Sequence, residues 1–510
     1  MIKSPLLATL VKLASTGGFL LGVLVLAHQG MGSAAAPPWL VATALAGGYL
    51  ALALGANNAA NNIAIAVGAG ALGLGAAWGI AAIGELAGAF LAGEAVTGIR
   101  LREEFIDFGL LERQTQLHWV ILGGILAAGL WLHVAFFFTA PVSATHSVIG
   151  GLAGAAVAAQ GWQAVKWDAI GTFALAWIAS PVTGALLAAL ALYGIKHTIS
   201  YKPNPVLAAR DRVPILVALM ALVMANYLLF ELAHEEWHSS GRPWMISLAM
   251  ATAVFLIAQP LAYRTAQITR DSNQVVNQMF ALPLILATGF FTFAHGANDV
   301  ANVAGPLTAS AAIPDLGSEA PLPLVRLWAL AVGGIGITVG LVVFGGRMVR
   351  TVGTEITELD MIRGFCISLS AATVVLLAVH FGLPVSTTHT LVGSIVGVGL
   401  LREYLQVNEQ QTLAKIRKAY AGENRQNLER FLGRFQRASL MRKRAMLADL
   451  ERERGEAQLT DKELQRVHRL YHRQLVKRVL VGRILLFWLL TLPVTGLLGA
   501  AWFYLLAGAS

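Results

Sequence analysis

Long apolar stretches recur along the whole 510-residue chain, and they constrain its fold more than any other feature. Four clear ones cover residues 213–232, 244–262, 365–381 and 484–507, each close to the ~20 residues that an α-helix needs to cross a bilayer. The chain is 56% hydrophobic and only 13% charged, whereas soluble proteins are about 25% charged. Because so little polar surface cannot enclose so much apolar material in water, the sequence predicts an all-α polytopic membrane protein with about 10–12 membrane segments.

The basic residues are concentrated between residues 402 and 478. This segment holds 14 Arg and 5 Lys against 8 Glu and 2 Asp, a net charge of +9 that equals the net charge of the whole chain. We interpret it as a solvated helical insert in the cytoplasm, where basic loops are retained. The loops at 196–212 and 264–270 are also basic, whereas the loop at 233–240 between their helices is acidic. This alternation predicts a C-terminus outside the cell, and a charge run alone does not indicate a nucleic-acid partner.

Two polar motifs occur twice. The motif at 55–61 (Gly-Ala-Asn-Asn-Ala-Ala-Asn) returns at 296–302 (Gly-Ala-Asn-Asp-Val-Ala-Asn), and the motif at 141–146 (Pro-Val-Ser-Ala-Thr-His) returns at 384–389 (Pro-Val-Ser-Thr-Thr-His). The first pair is offset by 241 residues and the second by 243. Because both motifs recur in the same order at nearly the same spacing, we infer a duplication.

The charge pattern predicts that the two copies lie in opposite orientations. The helix after the second Pro-Val-Ser motif leads into the basic insert, whereas the helix after the first leads to an almost neutral loop at 160–168. Inverted repeats of this kind are typical of transporters that bind substrate near the midplane. We divide the chain into an N-terminal membrane helix (1–37), a first transport repeat (38–195), a connector with two membrane helices (196–279), a second transport repeat (280–401), the basic insert (402–479) and a last membrane helix that completes the second repeat (480–510).

The motifs themselves indicate ion chemistry. The asparagines near residue 58 lie at apolar depth, where polar groups are costly unless they face a cavity, an ion or one another, so we expect broken helices there. The Pro-Val-Ser motif is expected to start a helix with its proline in the first turn, presenting hydroxyls and backbone N–H groups at the positive end of the dipole. Such a helix start suits phosphate or sulfate. The alternative is that these side chains only hydrogen-bond one helix to another.

The duplicated motifs resemble those of the inorganic phosphate transporter (PiT) family of cation-coupled phosphate permeases. The resemblance extends from residue 40 to the C-terminus, apart from the charged insert, and is supported by Val67–Leu72, by Glu85 in Gly-Glu-Leu-Ala-Gly-Ala, by Ser180-Pro181 and by Thr491-Leu-Pro493. It implies a secondary active transporter, not an enzyme, in the cell membrane and without a cofactor. It also implies re-entrant or broken helices, with phosphate held between the Ser/Thr helix starts of both halves and with sodium ions or protons close by.

Carried over by position, the resemblance implies three groups of site residues. Those for the substrate are Ser143, Thr145, Ser386, Thr387 and Thr388; those for sodium are Asn57, Asn58, Asn61, Asn298, Asp299 and Asn302; and Glu85 is a candidate coupling residue because an intramembrane carboxylate is by default functional. His146 and His389 are expected to be hydrogen-bonding scaffold.

Two positions depart from the family pattern. Asn58 stands where the family has Asp, and Ala144 stands where it has a second hydroxyl. The loss of a carboxylate weakens the first cation site, because an amide oxygen is a weaker ligand for a hard cation. The sequence therefore leaves open phosphate or sulfate as the substrate and sodium or a proton as the coupling cation. Membrane lipid and, as one option, a second copy of the chain are the other expected partners.

Two functions from other classes compete with a coupled transporter. His234-Glu235-Glu-Trp-His238 matches the H-E-x-x-H pattern of zinc peptidases, although no convincing third ligand accompanies it and no zinc is expected. A passive anion channel is the other alternative, and it predicts current without coupling.

Overall fold

The computed structural model describes residues 5–29, 37–93, 105–107, 114–232, 241–267, 272–311, 322–355, 359–419 and 478–508. Eleven helical spans in these ranges, some of them made of two or more successive helices, are long and apolar enough to cross a membrane, which confirms the predicted all-α polytopic class. The helices are α1 (Pro5–Gln29), α2 (Pro38–Leu54), α3 (Ala60–Gly68), α4 (Leu74–Leu91), α5 (Gln114–Phe137), α6 (Ala144–Gln160), α7 (Trp167–Ile195), α8 (Pro205–Leu232), α9 (Arg242–Thr265), α10 (Ser272–Met279), α11 (Ala281–Asp299), α12 (Ala301–Ala311), α13 (Leu322–Phe344), α14 (Gly346–Glu355), α15 (Met361–His380), α16 (Thr387–Ala419) and α17 (Arg478–Gly508).

Both asparagine-rich motifs interrupt a membrane helix. A π-helical turn, Gly55–Ala59, joins α2 to α3, and the break between α11 and α12 falls at Val300. π-bulges inside α-helices are frequent at functional sites because they release backbone groups and redirect side chains. The breaks therefore place polar side chains at a depth within the membrane where an uninterrupted apolar helix would present only apolar side chains.

Each Pro-Val-Ser motif lies in a non-helical segment that joins one helix to the next. Residues 138–143 connect α5 to α6, and residues 381–386 connect α15 to α16. The predicted place of the proline in the first helical turn is wrong, since α6 begins at Ala144 and α16 begins at Thr387. The serine that precedes each helix caps it, because a serine oxygen is a good acceptor for a free first-turn N–H. The proline is thereby left in the extended segment.

Elements of the two proposed repeats pack against each other. Helix α4 lies on α11, and a Cβ atom added to Gly88 would lie 2.0 Å from the Phe293 carbonyl oxygen. Helix α6 lies on α17 and α16 lies on α7; a Cβ atom at Gly154 would lie 1.9 Å from the Gly496 oxygen. Small residues at these crossings allow the backbones to approach closely, as is usual between membrane helices. The motif helix of each repeat is consequently supported by the last helix of the other repeat.

The basic insert begins within a helix. Helix α16 continues through the boundary drawn at residue 401 and ends at Ala419, while residues 420–477 lie outside the described residues.

Candidate functional site

The two Pro-Val-Ser segments meet inside the protein. The Thr145 hydroxyl, from the first motif, donates a hydrogen bond of 3.2 Å to the Val385 carbonyl oxygen of the second motif. The five residues predicted for the substrate are all buried, with 1–3% of their surface exposed. They are Ser143, Thr145, Ser386, Thr387 and Thr388. The structure thus brings the first Pro-Val-Ser segment into contact with the second, across 240 positions of the chain.

The two serines cap the two helices in the same way. Ser143 Oγ accepts a hydrogen bond from the His146 backbone N–H at 3.2 Å, and Ser386 Oγ accepts one from the His389 N–H at 3.2 Å. His146 Nδ1 also lies 2.6 Å from Ser143 Oγ, as expected for a hydrogen-bonding scaffold. Each capped helix directs its positive dipole end and its first free N–H groups toward the place where the segments meet.

The threonines at the start of α16 differ in their hydrogen bonding. The Thr387 hydroxyl donates to Asp299 Oδ1 at 3.2 Å, which joins the predicted substrate side to the predicted cation side. The Thr388 hydroxyl is buried and has no hydrogen-bond partner within the described ranges. An unpaired buried hydroxyl is costly, so Thr388 is suited to an external ligand.

Side chains satisfy the carbonyl groups of the extended segments. Asn57 Nδ2 donates to the Ala140 oxygen at 3.2 Å, and Asn298 Nδ2 donates to the Val385 oxygen at 3.0 Å. A non-helical backbone at membrane depth is tolerated only where such partners or a water-filled cavity are present. The asparagines of the helix breaks therefore hold the helix starts in place.

Several amide oxygens of the helix breaks are free: in Asn57 and Asn298 the amide nitrogen bonds to the protein, whereas in Asn58 and Asn61 neither amide atom has a hydrogen-bond partner in the described residues. Asn57 Oδ1, Asn58 Oδ1, Asn61 Oδ1 and Asn298 Oδ1 are buried and have no hydrogen-bond partner among the described residues. Hard cations such as sodium prefer oxygen ligands, and these oxygens fit that requirement. Asn302 is also buried, but the unpartnered atom there is Nδ2, a donor that suits an anion or a water molecule better than a cation.

A buried histidine links Glu85 to Asp299. His295 Nδ1 lies 2.8 Å from Glu85 Oε2, and His295 Nε2 lies 3.2 Å from Asp299 Oδ2. The first contact is a hydrogen bond, whereas the second is close but poorly aligned. Asn62 Nδ2 donates to the other Glu85 oxygen at 3.1 Å. Glu85 is therefore not isolated in the membrane, since its carboxylate contacts a chain of polar groups that ends at the predicted cation site.

Sequence reasoning missed His295 and two tryptophans. His295 directly precedes the second Gly-Ala-Asn motif, but Leu54 stands at the equivalent place in the first copy, so a comparison of the repeats does not select it. Its signal was its own polarity inside an apolar segment. Trp177 and Trp488 donate their indole N–H groups to the Pro384 and Pro141 carbonyl oxygens, at 3.0 and 3.1 Å. Neither tryptophan belongs to a motif.

The zinc-peptidase pattern receives no support. His234, Glu235 and His238 lie outside the described residues. In the part of the chain that the structure does describe, no group of three or more His, Cys, Asp or Glu side chains could hold a metal ion.

The chain is similar to known phosphate transporters over most of its length. Residues 54–499 match the family described as the phosphate transporter family. A Helicobacter pylori protein named "Putative phosphate permease" is 41% identical over 482 residues, 91% of this chain and 89% of that protein. The "Inorganic phosphate transporter 2-1, chloroplastic" of Arabidopsis thaliana is 34% identical over 385 residues, 71% of this chain and 66% of that protein. A solved structure titled "The sodium-dependent phosphate transporter" superposes with a TM-score of 0.72 at 26% identity, covering 93% of this chain and all of that one.

Proposed function

The chain belongs to the phosphate transporter family, and from that premise we propose that it takes up inorganic phosphate across the cell membrane in symport with sodium. It is a multi-pass transporter and not an enzyme, because its family and its relatives are transporters and permeases. These relatives therefore exclude the zinc-peptidase alternative.

The meeting of the two Pro-Val-Ser helix starts carries the proposal. Two helix N-termini that converge on one buried place, each capped by a serine, offer N–H groups, hydroxyls and positive dipole ends to the same anion. We assign Ser143 and Thr145 from the first half, and Ser386, Thr387 and Thr388 from the second, to phosphate. The hydroxyls that now bond to protein groups, such as that of Thr145, exchange those partners for phosphate oxygens.

The free amide oxygens support sodium as the coupling ion. An anion at the membrane midplane is strongly disfavoured unless a cation accompanies it. We assign Asn57, Asn58, Asn61, Asn298 and Asp299 to sodium, with Asn302 at the edge of the same site and Glu85 holding the site through His295. Because Thr387 bonds to Asp299, a cation at Asp299 and an anion at Thr387 attract each other over a short distance. That attraction is the physical basis of the proposed coupling.

The Asp299 carboxylate also favours phosphate over sulfate. Near neutral pH phosphate retains a proton that it can donate, whereas sulfate has none. A carboxylate oxygen beside the Thr387 hydroxyl can accept that proton in a hydrogen bond, but it repels an anion that has no donor. A site of this composition therefore selects the anion that still carries an O–H group.

We further propose that the two repeats are inverted. Arg483 lies at the start of α17, just after the basic insert, and its guanidinium donates to the Phe138 carbonyl oxygen at 3.1 Å. This contact supports a position for the tip of the first extended segment on the side of the insert. Helix α16, in contrast, runs from Thr387 toward the insert, which supports a position for the tip at Phe381 on the opposite side. Opposite tips are what alternating access between two inverted halves requires.

Uptake into proteoliposomes tests the proposal. Purified protein is reconstituted, and the accumulation of radiolabelled phosphate and of radiolabelled sulfate is measured with an inward sodium gradient, with an inward proton gradient and with neither. We expect phosphate to accumulate above equilibrium only with the sodium gradient. If a proton gradient alone drives accumulation, the coupling ion is a proton and not sodium. If sulfate accumulates in preference to phosphate, the substrate is sulfate. Equilibration of phosphate that depends on neither gradient would indicate a channel.

A further inference from the structure

Four aromatic rings form a row between the two Pro-Val-Ser motifs. The ring centroid of His146 lies 3.8 Å from that of Trp177 and 4.7 Å from that of His389, and His389 stacks on Trp488 at 3.6 Å. His146 and His389 are the last residues of the two motifs, and the tryptophans lie on α7 and α17. The row therefore crosses the place where the motifs meet.

Each tryptophan contacts both motifs, since its ring packs on the histidine of one motif and its N–H donates to the proline carbonyl of the other. Trp177 packs with a tilted ring against the histidine of the first motif but donates its N–H to Pro384 of the second. Trp488 stacks on the histidine of the second motif but donates to Pro141 of the first. Pro141 and Pro384 are equivalent residues of the two copies, so the same crossed contact occurs twice.

We propose that Trp177 and Trp488 are positioning residues that set the distance between the two halves of the phosphate site. Neither indole N–H donates to a proposed phosphate hydroxyl, and each acts through the proline carbonyl oxygen that accepts its hydrogen bond. Each ring in the row packs against a ring that belongs to the other motif or is hydrogen-bonded to it. A movement of one motif relative to the other therefore breaks a ring contact or a hydrogen bond. This inference rests on the proposed function, because it needs phosphate to bind between the motifs.

The physical reason lies in the extended backbone. Pro141 and Pro384 are buried and precede the helix starts, where their carbonyl groups have no place in a helical hydrogen-bond ladder. An indole N–H fixes such a carbonyl, and the large ring packs against the motif histidine at the same time. Because the serine caps follow two residues later, a shift of either proline changes the spacing of the hydroxyls that bind one small anion.

The test separates the indole N–H from the ring. Trp177→Phe and Trp488→Phe retain an aromatic ring and lose the donor, whereas Trp177→His and Trp488→His retain a five-membered ring with an N–H at the equivalent position. Trp131→Phe is the matched control, because Trp131 is a buried tryptophan whose N–H donates at 3.0 Å to Thr491, a residue that belongs to neither motif. The KM and the maximal rate of phosphate uptake are measured for each variant, together with the melting temperature.

We expect both Phe variants to raise the KM for phosphate by roughly three- to tenfold, as the loss of one hydrogen bond implies, with little change in maximal rate. The His variants should remain near the parental KM, and Trp131→Phe should leave it unchanged even where it lowers the melting temperature. Phe variants with the parental KM, or a control that raises the KM equally, would overturn the proposal. Should the Phe variants fail to fold, a tenfold rise in the His variants would overturn it and a parental KM would support it. Absence of phosphate uptake by the parent would instead refute the proposed function.

Discussion

Thr388 differs from the other hydroxyl residues of the two helix starts. The hydroxyls of Thr145 and Thr387 donate to protein acceptors, and those of Ser143 and Ser386 cap their helices, but the Thr388 hydroxyl has no partner in the described part of the chain. Its removal should therefore affect a bound anion without affecting the fold, which is not so for a capping serine.

We predict that Thr388→Val raises the dissociation constant for phosphate by roughly ten- to a hundredfold, because a hydrogen bond to a charged group contributes about 1.5–3 kcal/mol. The melting temperature without phosphate should stay unchanged. Thr43→Val is the matched control, since Thr43 is fully buried and its hydroxyl donates within α2 to the Trp39 carbonyl oxygen, away from the motifs. Isothermal titration of the purified variants measures the constants, and equal phosphate affinity in Thr388→Val and the parent would exclude Thr388 from the site.

The two copies of the asparagine motif should contribute unequally to coupling. Asp299 carries a carboxylate, whereas Asn58 at the equivalent position offers only an amide dipole. We predict that Asp299→Asn flattens the dependence of phosphate uptake on sodium concentration, that Asn58→Ala has a milder effect, and that Asn58→Asp strengthens cation binding. The measurement is uptake against sodium concentration for the three variants and the parent. If Asp299→Asn retains the full sodium dependence of the parent, the coupling residue is not Asp299, and Glu85 is the next candidate.

Duplication made most site residues predictable. Asn57 and Ser143 stand out in the sequence because each recurs, with its neighbours, at a fixed offset in the second half, as Asn298 and Ser386. The side-chain partners could not be found in this way. His295 has an apolar counterpart in the first copy, and Trp488 reaches the first Pro-Val-Ser segment only because α17 packs on α6, a long-range contact that no local pattern encodes.

At the scale of helices, the close approach of α4 to α11 positions Glu85 against His295. Gly88 lies one turn from Glu85 on α4, and a Cβ atom there would lie 2.0 Å from the Phe293 oxygen on α11. A methyl group at this place must force the two helices apart, because backbone atoms cannot yield as a flexible side chain can.

We predict that Gly88→Ala destabilises the protein by about 1–3 kcal/mol and lowers the rate of phosphate uptake, because α4 and α11 separate at the Glu85–His295 contact. Gly79→Ala on the same helix is the control, since nothing lies within 4 Å of a Cβ atom added at Gly79. Thermal unfolding in detergent compares the two variants. A melting temperature of Gly88→Ala as high as that of Gly79→Ala would contradict the close packing.

The helices themselves followed from apolar length, but their ends did not. The α6 start differs from the prediction because proline suits a first turn in general, whereas here Pro141 is fixed in the extended segment by the Trp488 indole and Ser143 takes over as the cap. The position at which α6 begins, at Pro141 or at Ala144, therefore depends on a contact with Trp488, which lies near the other end of the chain.

Across the whole molecule, the proposed inverted arrangement requires two equivalent residues to lie on opposite faces of the membrane. Phe138 and Phe381 are separated by the same 243 residues as the Pro-Val-Ser motifs, and both side chains are more than half exposed. They are therefore a matched pair for measuring orientation. The lone Cys366 is buried and can be replaced to provide a cysteine-free background.

We predict that, in a Cys366→Ala background, a membrane-impermeant thiol reagent labels Phe381→Cys on intact cells and labels Phe138→Cys only after the membrane is opened. This result follows from a cytoplasmic basic insert and a C-terminus outside. Labelling of both residues from the same side would rule out an inverted repeat.

We propose that the two halves build one phosphate site together, and titration calorimetry measures both the number of phosphates bound and the contribution of each half. Phosphate is titrated into the parent protein and into Ser143→Ala and Ser386→Ala in the presence of sodium, with Ser247→Ala as a control because Ser247 is a fully buried serine on the connector helix α9. We predict one phosphate per chain in the parent, weaker binding by roughly ten- to a hundredfold in either capping variant, and parental binding in Ser247→Ala. Two phosphates per chain, or an affinity that responds to only one of the two capping serines, would contradict the shared site.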